Sequence, residues 1–282
     1  MKHSILTHEK VLSMLPDRKP DTHKGNYGRV LLLCGSKGYT GAAALAAMGA
    51  LRSGAGLVYL GVPESIYAIE AVKLTEPVVF ALPDANGMLS EAAIIPVMDM
   101  LNRMDAVLIG PGLGRADAVR SVVKAVLEHA SCPVVVDADG INLLAGHKDI
   151  LRGRTAPTIL TPHMGEFAGI GGNLKADRKS AAAEMARDLG AVIVLKGHGT
   201  VVTDGNACYL NPTGNPGMAV GGSGDVLAGM IVSLLGQGLT AMDAAACSVW
   251  LHGAAGDACA GSIGMYGMLP TDMLAQIPRL MK

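Results

Sequence analysis

Aromatic side chains are scarce in this sequence: one Trp, two Phe and six Tyr among 282 residues, or 3%. A core built without them must be packed from Ala, Val, Leu, Ile and Met, and 37 glycines imply close backbone approaches between elements. Charge is also sparse. Asp, Glu, Lys and Arg make up 17% and the formal net charge is -1, which excludes the basic stripe of a nucleic-acid binder. A phosphorylated ligand would have to be held by local groups, not by an overall field. Paired cysteines are missing: Cys34, Cys132, Cys208, Cys247 and Cys259 are dispersed with no C-x-x-C spacing. That fits reduced thiols in the cytoplasm and leaves no zinc motif. Long apolar runs are absent too, although the mean hydropathy is +0.37. Val226 to Leu235 is about half the ~20 residues that span a bilayer. Ala42 to Val62 is interrupted by Arg52 and by glycines. The N-terminus is polar, with Lys2, His3, His8, Glu9 and Lys10, so no secretory signal and no membrane association are expected. The hydrophobicity is then assigned to contacts between subunits.

Apolar runs ended by Gly or polar residues alternate with helical patterns. Arg29–Cys34, Leu57–Gly61, Pro77–Phe80, Asp105–Ile109, Pro133–Val136, Thr158–Leu160 and Ala191–Leu195 read as strands. Helices are expected from about Ala42 to Ser53, Ser90 to Asn102, after Gly114 to Ala130, around Ile141 to Ala145, and from Lys179 to Leu189. Repeated β-loop-α units imply an α/β fold with a mostly parallel sheet covered by helices on both faces. Asp204-Gly205-Asn206 then marks a hairpin, and the last third reads as helices rich in Ala, Gly and Met. No repeat, linker or composition break divides the chain, so residues 1–282 are expected to form one domain.

In open α/β sheets ligands bind beyond the carboxyl ends of the strands. That rule selects the segments 35–41, 110–114, 137–139, 161–166 and 196–200. None is a Walker loop: Lys37 lies in a Gly-rich segment, but G-x-x-x-x-G-K-[ST] is absent, and no G-x-G-x-x-G follows the first strand. His163 reads either as a solvated histidine or as a ligand group, and Lys196 as a strand terminator or a phosphate contact. Asp137 and Asp139 are candidate caps for the following helix, and Gly110 to Gly114 a tight turn or a binding loop.

The most specific segment is Gly221-Gly222-Ser223-Gly224-Asp225, leading into an apolar helix that starts near Asp225. Its glycines leave backbone N–H groups open, and the helix adds its unsatisfied N–H groups and positive dipole end, which together make an anion site. A carboxylate there can serve as general base toward a hydroxyl approaching a bound phosphate. It can equally stabilise the helix start, although that does not explain the glycines before it.

At these residues the sequence resembles the NAD(P)HX dehydratases, the ADP- or ATP-dependent NAD(P)H-hydrate dehydratases of the ribokinase-like superfamily. The matching stretches are Lys24-Gly25-Asn26-Tyr27-Gly28, Gly110-Pro111-Gly112-Leu113-Gly114, Asp137-Ala138-Asp139-Gly140, Thr161-Pro162-His163-x-Gly165-Glu166, and Gly221 to Gly229. They follow the family's order over nearly the whole chain. The resemblance implies a ribokinase-like three-layer α-β-α sandwich without the N-terminal epimerase domain that many members carry. It implies that the terminal phosphoryl of ADP, or of ATP, passes to the 6-hydroxyl of the S-epimer of NADHX or NADPHX. Elimination of phosphate then restores NADH or NADPH. Asp225 would be the catalytic base, and Gly222, Ser223 and Gly224 the anion hole. Lys196, Gly197, His198, Gly199 and Thr200, with Gly224, would contact the nucleotide. Ala42, Ala43, Gly112, Gly114 and His163, with Asp225, would line the hydrate pocket. Mg2+ would bridge the phosphates, with Glu166 reaching it through water. A cytoplasmic homotetramer, with the epimerase encoded separately, is also implied.

Two other readings share the phosphate site. A small-molecule kinase of the same fold would release a stable phosphorylated product in place of inorganic phosphate. A non-catalytic nucleotide-binding protein would have no use for Asp225.

Overall fold

The computed structural model describes residues 3–282. Ten strands form the main sheet: β1 (His3–Ile5), β2 (Arg29–Leu33), β3 (Leu57–Pro63), β4 (Val78–Leu82), β7 (Ala106–Ile109), β8 (Val134–Val136), β9 (Thr158–Leu160), β10 (Val192–Leu195), β11 (Val201–Thr203) and β12 (Cys208–Leu210). A separate small hairpin holds β5 (Asp84–Ala85) and β6 (Met88–Leu89). The sheet order is β1-β12-β11-β10-β9-β8-β7-β2-β3-β4. From β10 to β4 every pairing is parallel, and β11 alone runs against the rest.

Alternation along the central strands sorts the core into two faces. Val30, Leu32 and Leu108 join the helices Thr40–Arg52, Ser223–Gly236, Ala241–Ser262 and Pro270–Leu280. Leu31, Leu33, Val107 and Ile109 join Ile94–Leu101, Asp117–His129 and Arg178–Leu189 on the other side. This is the expected three-layer sandwich, with strands buried on both faces and therefore continuously apolar.

The expected elements are present with shifted ends. The Ser90–Asn102 helix is a 3-10 turn, Glu91–Ala93, followed by Ile94–Leu101. Pro96 has no N–H to give to the carbonyl of Ala92, so the α ladder begins around it. The helix expected near Asp225 starts two residues earlier, at Ser223. Sequence periodicity did not indicate β1, the helix His8–Met14, the helix Glu64–Lys73 or the β5–β6 hairpin.

Two features place the site. Strand order reverses between β2 and β7, so their carboxyl ends flank a topological switch point. Across it, Gly35 N–H donates to Pro111 O at 2.8 Å and Ser36 Oγ to Gly112 O at 2.7 Å. The helices Thr40–Arg52 and Ser223–Gly236 cross backbone to backbone. A Cβ added at Gly229 would lie 2.1 Å from Ala46 O, and one at Gly49 2.5 Å from Val226 O. No larger residue fits either position without moving a helix.

Candidate active site

The Gly-rich segment behaves as its composition suggests. Gly222 has φ 95 and ψ -18, a left-handed conformation that turns the chain into the helix Ser223–Gly236. Among the described residues, the N–H groups of Gly222, Gly224 and Asp225 have no hydrogen-bond partner, while Ser223 N–H closes a long turn bond to Val220 O at 3.3 Å. Open donors at the positive end of a helix form a cradle for an anion. Asp225 sits in the first turn, mostly buried. Its carboxyl is pushed up to about 6, chiefly by burial and then by the charge of Asp137; Lys196 pulls the other way.

Lys196 ends β10 and reaches the same spot. Its ammonium lies 2.7 Å from Asp137 Oδ1 and 3.9 Å from Glu166 Oε2, and a Cβ on Gly224 would be 3.4 Å from it. Burial alone would lower the Lys196 pKa, but Asp137 and Glu166 outweigh it and hold the group charged. Asp137 is buried and also accepts from Thr161 Oγ1 at 2.6 Å. The expectation that Asp137 or Asp139 caps the next helix is not met: that helix has no side-chain cap. Asp139 instead accepts from Gly114 N–H at 3.0 Å and from Arg115 Nε at 2.8 Å, fixing the loop after β7. Between them Ala138 has φ 50 and ψ -118, a strained conformation that aims the two carboxylates in different directions.

His163 caps the helix Met164–Gly169. Its Nδ1 accepts from Gly165 and Glu166 N–H at 3.0 and 3.2 Å, and Glu166 Oε2 accepts His163 N–H at 2.8 Å, a reciprocal capping box. The ring remains largely exposed and lines the cavity. Glu166 is therefore engaged by His163 and faces Lys196. Among the described residues no three His, Cys, Asp or Glu side chains converge as a metal site.

A cavity of about 790 Å³ runs from His163 and Lys196 past Gly224 to His198, Thr200 and Asn215. It joins the anion cradle to the loop after β10. Gly112 and Ala42 do not line this cavity; they abut each other, and a Cβ on Gly112 would stand 2.9 Å from the Ala42 Cβ. Ala43 is fully buried against Gly35, and Ala42 beside it is partly accessible. Gly112 and Gly114 lie on the loop that Asp139 holds.

Sequence reading missed part of the cavity wall. His252 is buried within the helix Ala241–Ser262, with Nε2 3.4 Å from Ser223 Oγ. Burial drives its pKa down to about 4, and the nearby Lys196 ammonium adds to the fall. Asp257, further along the same helix, accepts from Gly214 N–H and Asn215 Nδ2, both at 2.9 Å, and so holds the opposite lip. Neither residue stands in a motif; the only signal is a polar side chain inside an apolar helix.

Comparison with known proteins bears on this arrangement. The family model described as NAD(P)H-hydrate dehydratase matches residues 30–279. The bifunctional NAD(P)H-hydrate repair enzyme Nnr of Moorella thermoacetica is 46% identical over 99% of this chain and 54% of its own length. The chain thus spans about half the length of several of the curated relatives it matches. The ADP-dependent (S)-NAD(P)H-hydrate dehydratase of Bacillus subtilis is 38% identical over 98% of this chain and 97% of its own. A Bacillus subtilis ADP/ATP-dependent NAD(P)H-hydrate dehydratase co-crystallised with ATP and Mg2+ superposes with a TM-score of 0.83, 35% identity, and 98% and 96% coverage. A ribokinase-like superfamily protein of Enterococcus faecalis superposes with a TM-score of 0.86 at 27% identity, covering 99% of this chain and 95% of its own. The architecture is that of the ribokinase-like superfamily.

Proposed function

The chain belongs to the NAD(P)H-hydrate dehydratase family, and from that premise we propose that it repairs the S-epimer of hydrated NADH and NADPH at the expense of ADP. The observation that carries this reading is the raised carboxyl of Asp225 in the first turn of a helix whose leading N–H groups are open. A base with a pKa near 6 is ionised at neutral pH yet basic enough to share a proton with an alcohol entering attack.

Asp225 takes the proton of the 6-hydroxyl as its oxygen bonds to the terminal phosphorus of ADP, and AMP leaves. The carbon–oxygen bond then breaks, inorganic phosphate departs, and the neighbouring ring carbon gives up a proton to the departing phosphate or to solvent as the double bond forms. Open N–H groups at Gly222 and Gly224 and the Lys196 ammonium receive the charge on the transferring phosphoryl group. Gly197, His198, Gly199 and Thr200 take the rest of the nucleotide. Ala42, Ala43, Gly112, Gly114 and His163 line the hydrate pocket. Magnesium would come in on the nucleotide's phosphates, with Glu166 reaching it only through water; none of the steps above is built on it. ATP as an alternative donor, a homotetramer, a cytoplasmic location and an epimerase acting upstream complete the proposal.

The test is the purified chain with ADP, Mg2+ and NADH hydrate. Recovery of the near-ultraviolet absorbance of the dihydronicotinamide, with one phosphate released per turnover, is expected. A stable phosphorylated hydrate without phosphate release would make it a kinase, and no recovery with either ADP or ATP would end the dehydratase reading.

A further inference from the structure

The loop after β10 is tied by a second cation, half-buried and not among the residues that line the cavity. Arg178 opens the helix Arg178–Leu189, directly after the N-cap Asp177. Its guanidinium donates to three carbonyls of one short stretch: Leu195 O at 3.0 Å, Lys196 O at 3.2 Å and His198 O at 2.6 Å. Gly197 has φ 144, and a Cβ there would stand 3.1 Å from Arg178 Nη2, so the guanidinium lies against the backbone where a side chain would be.

This arrangement decides where the loop's other polar groups face. Leu195, Lys196 and His198 turn their carbonyls to one centre. Among the described residues, the N–H groups of His198 and Gly199 have no partner, and both residues belong to the loop that borders the cavity. Consecutive N–H groups left free in such a turn make a concave anion site. Arg178 collects the carbonyls, which would repel phosphate oxygens, and adds a positive charge one peptide layer behind the amides. The tie is costly. Burial lowers the Arg178 pKa, and its Nε is buried without a partner. A donor is left unsatisfied so that three others can hold this loop.

We propose that Arg178 is a positioning residue for nucleotide binding, which sets the Lys196–Thr200 loop with its carbonyls inward and its amides toward the phosphates. This rests on the proposed use of ADP. It differs from the role of Lys196, which reaches the reacting phosphoryl group itself.

A neighbour on the same helix supplies the control. Arg187 Nη1 donates to Gly205 O at 2.6 Å, an equivalent tie from helix to turn that does not border the cavity. Arg178→Met, Arg178→Lys and Arg187→Met are compared by ADP titration calorimetry, by kcat and KM for ADP and for the hydrate, and by thermal melting. Arg178→Met should raise the Kd and KM for ADP about tenfold or more, the scale of losing charge-assisted hydrogen bonds. The hydrate KM should stay within about twofold, and Arg178→Lys should recover part of the loss. Arg187→Met should lower the melting temperature while leaving ADP affinity unchanged. If Arg178→Met does not fold, Arg178→Lys alone decides, by a raised ADP KM at unchanged hydrate KM. ADP affinity within twofold of wild type in every folded Arg178 variant overturns the proposal, as does an equal loss in Arg187→Met. A wild-type chain that binds no ADP overturns the nucleotide reading as well, so the two failures are separable.

Discussion

Replacing Asp225 with Asn should make the protein more stable and nearly inactive. Its carboxyl lies at about 6 instead of 3.8, because burial and Asp137 disfavour the charged form. The folded state therefore holds this proton more tightly than the unfolded chain does. The resulting penalty is absent below pH 3.8, grows as pH rises, and is complete above about 6. A displacement of that size corresponds to roughly 3 kcal/mol at neutral pH. For a chain this long, that is a gain in Tm of about 4–5 °C in the variant. The gain should vanish as pH falls from about 6 to about 4. Turnover should drop at least about 100-fold, the usual worth of a positioned base. Melting curves from about pH 4 to 8 and phosphate-release kinetics near neutral pH read both effects. A variant no more stable than wild type near neutral pH, or one retaining a tenth of the activity, would refute the reasoning. His252 sharpens the test because its slope runs the other way. Its pKa falls from 6.5 to about 4, so stability is complete above 6.5 and is lost as pH drops toward 4. In the wild type the two slopes offset each other across that window, and each single variant should expose the slope of the other residue.

Activity in the wild type should rise with pH through about 6 as Asp225 ionises, with kcat/KM as the readout; a profile flat from about pH 5 to 8 would remove it as the base. Lys196→Met leaves Asp137 buried with Thr161 as its remaining side-chain donor, and should cost about 3–5 kcal/mol in urea unfolding as well as phosphoryl transfer. Gly222→Ala forces a left-handed Ala against Leu45 Cδ1, 2.4 Å from the added Cβ, and should cost about 1–3 kcal/mol and weaken ADP binding in calorimetry. His252→Phe should leave the Asp225 slope alone, with Tm rising as pH falls from about 6 to about 4, while leaving the fold intact by circular dichroism.

Much of this architecture was legible because parallel strands buried on both faces leave a plain trace. Each reads as an apolar run, and the Gly or polar residue that ends it marks the ligand edge. The loops at 110–114, 161–166 and 196–200 were found that way; His163 and Lys196 line one cavity with Ser223 and Gly224, while the 110–114 loop does not line it. What escaped was set by partners distant in sequence. Arg178 looks like a surface arginine at a helix start until its three carbonyls are seen. His252 and Asp257 sit in an Ala-rich helix whose pattern says only that it is buried. Asp137 and Asp139 had the right composition for caps, but tertiary charges and a free loop amide claimed them instead.

The crossing at Gly49 and Gly229 has a consequence for how the site can change. One helix begins after the loop that follows β2 and the other at the anion cradle, and at Gly49 and Gly229 their backbones touch with no side chain between them. They act like the jaws of a locked calliper: under the proposed reaction, the gap from donor phosphorus to acceptor hydroxyl would be machined into the scaffold and not adjustable by packing. A relative that accepts a longer or shorter alcohol would have to alter the loops beyond β2, β7 and β9, because widening the jaws would require replacing both glycines together. New acceptors should therefore arise through loop replacement, while this helix pair stays a constant of the design.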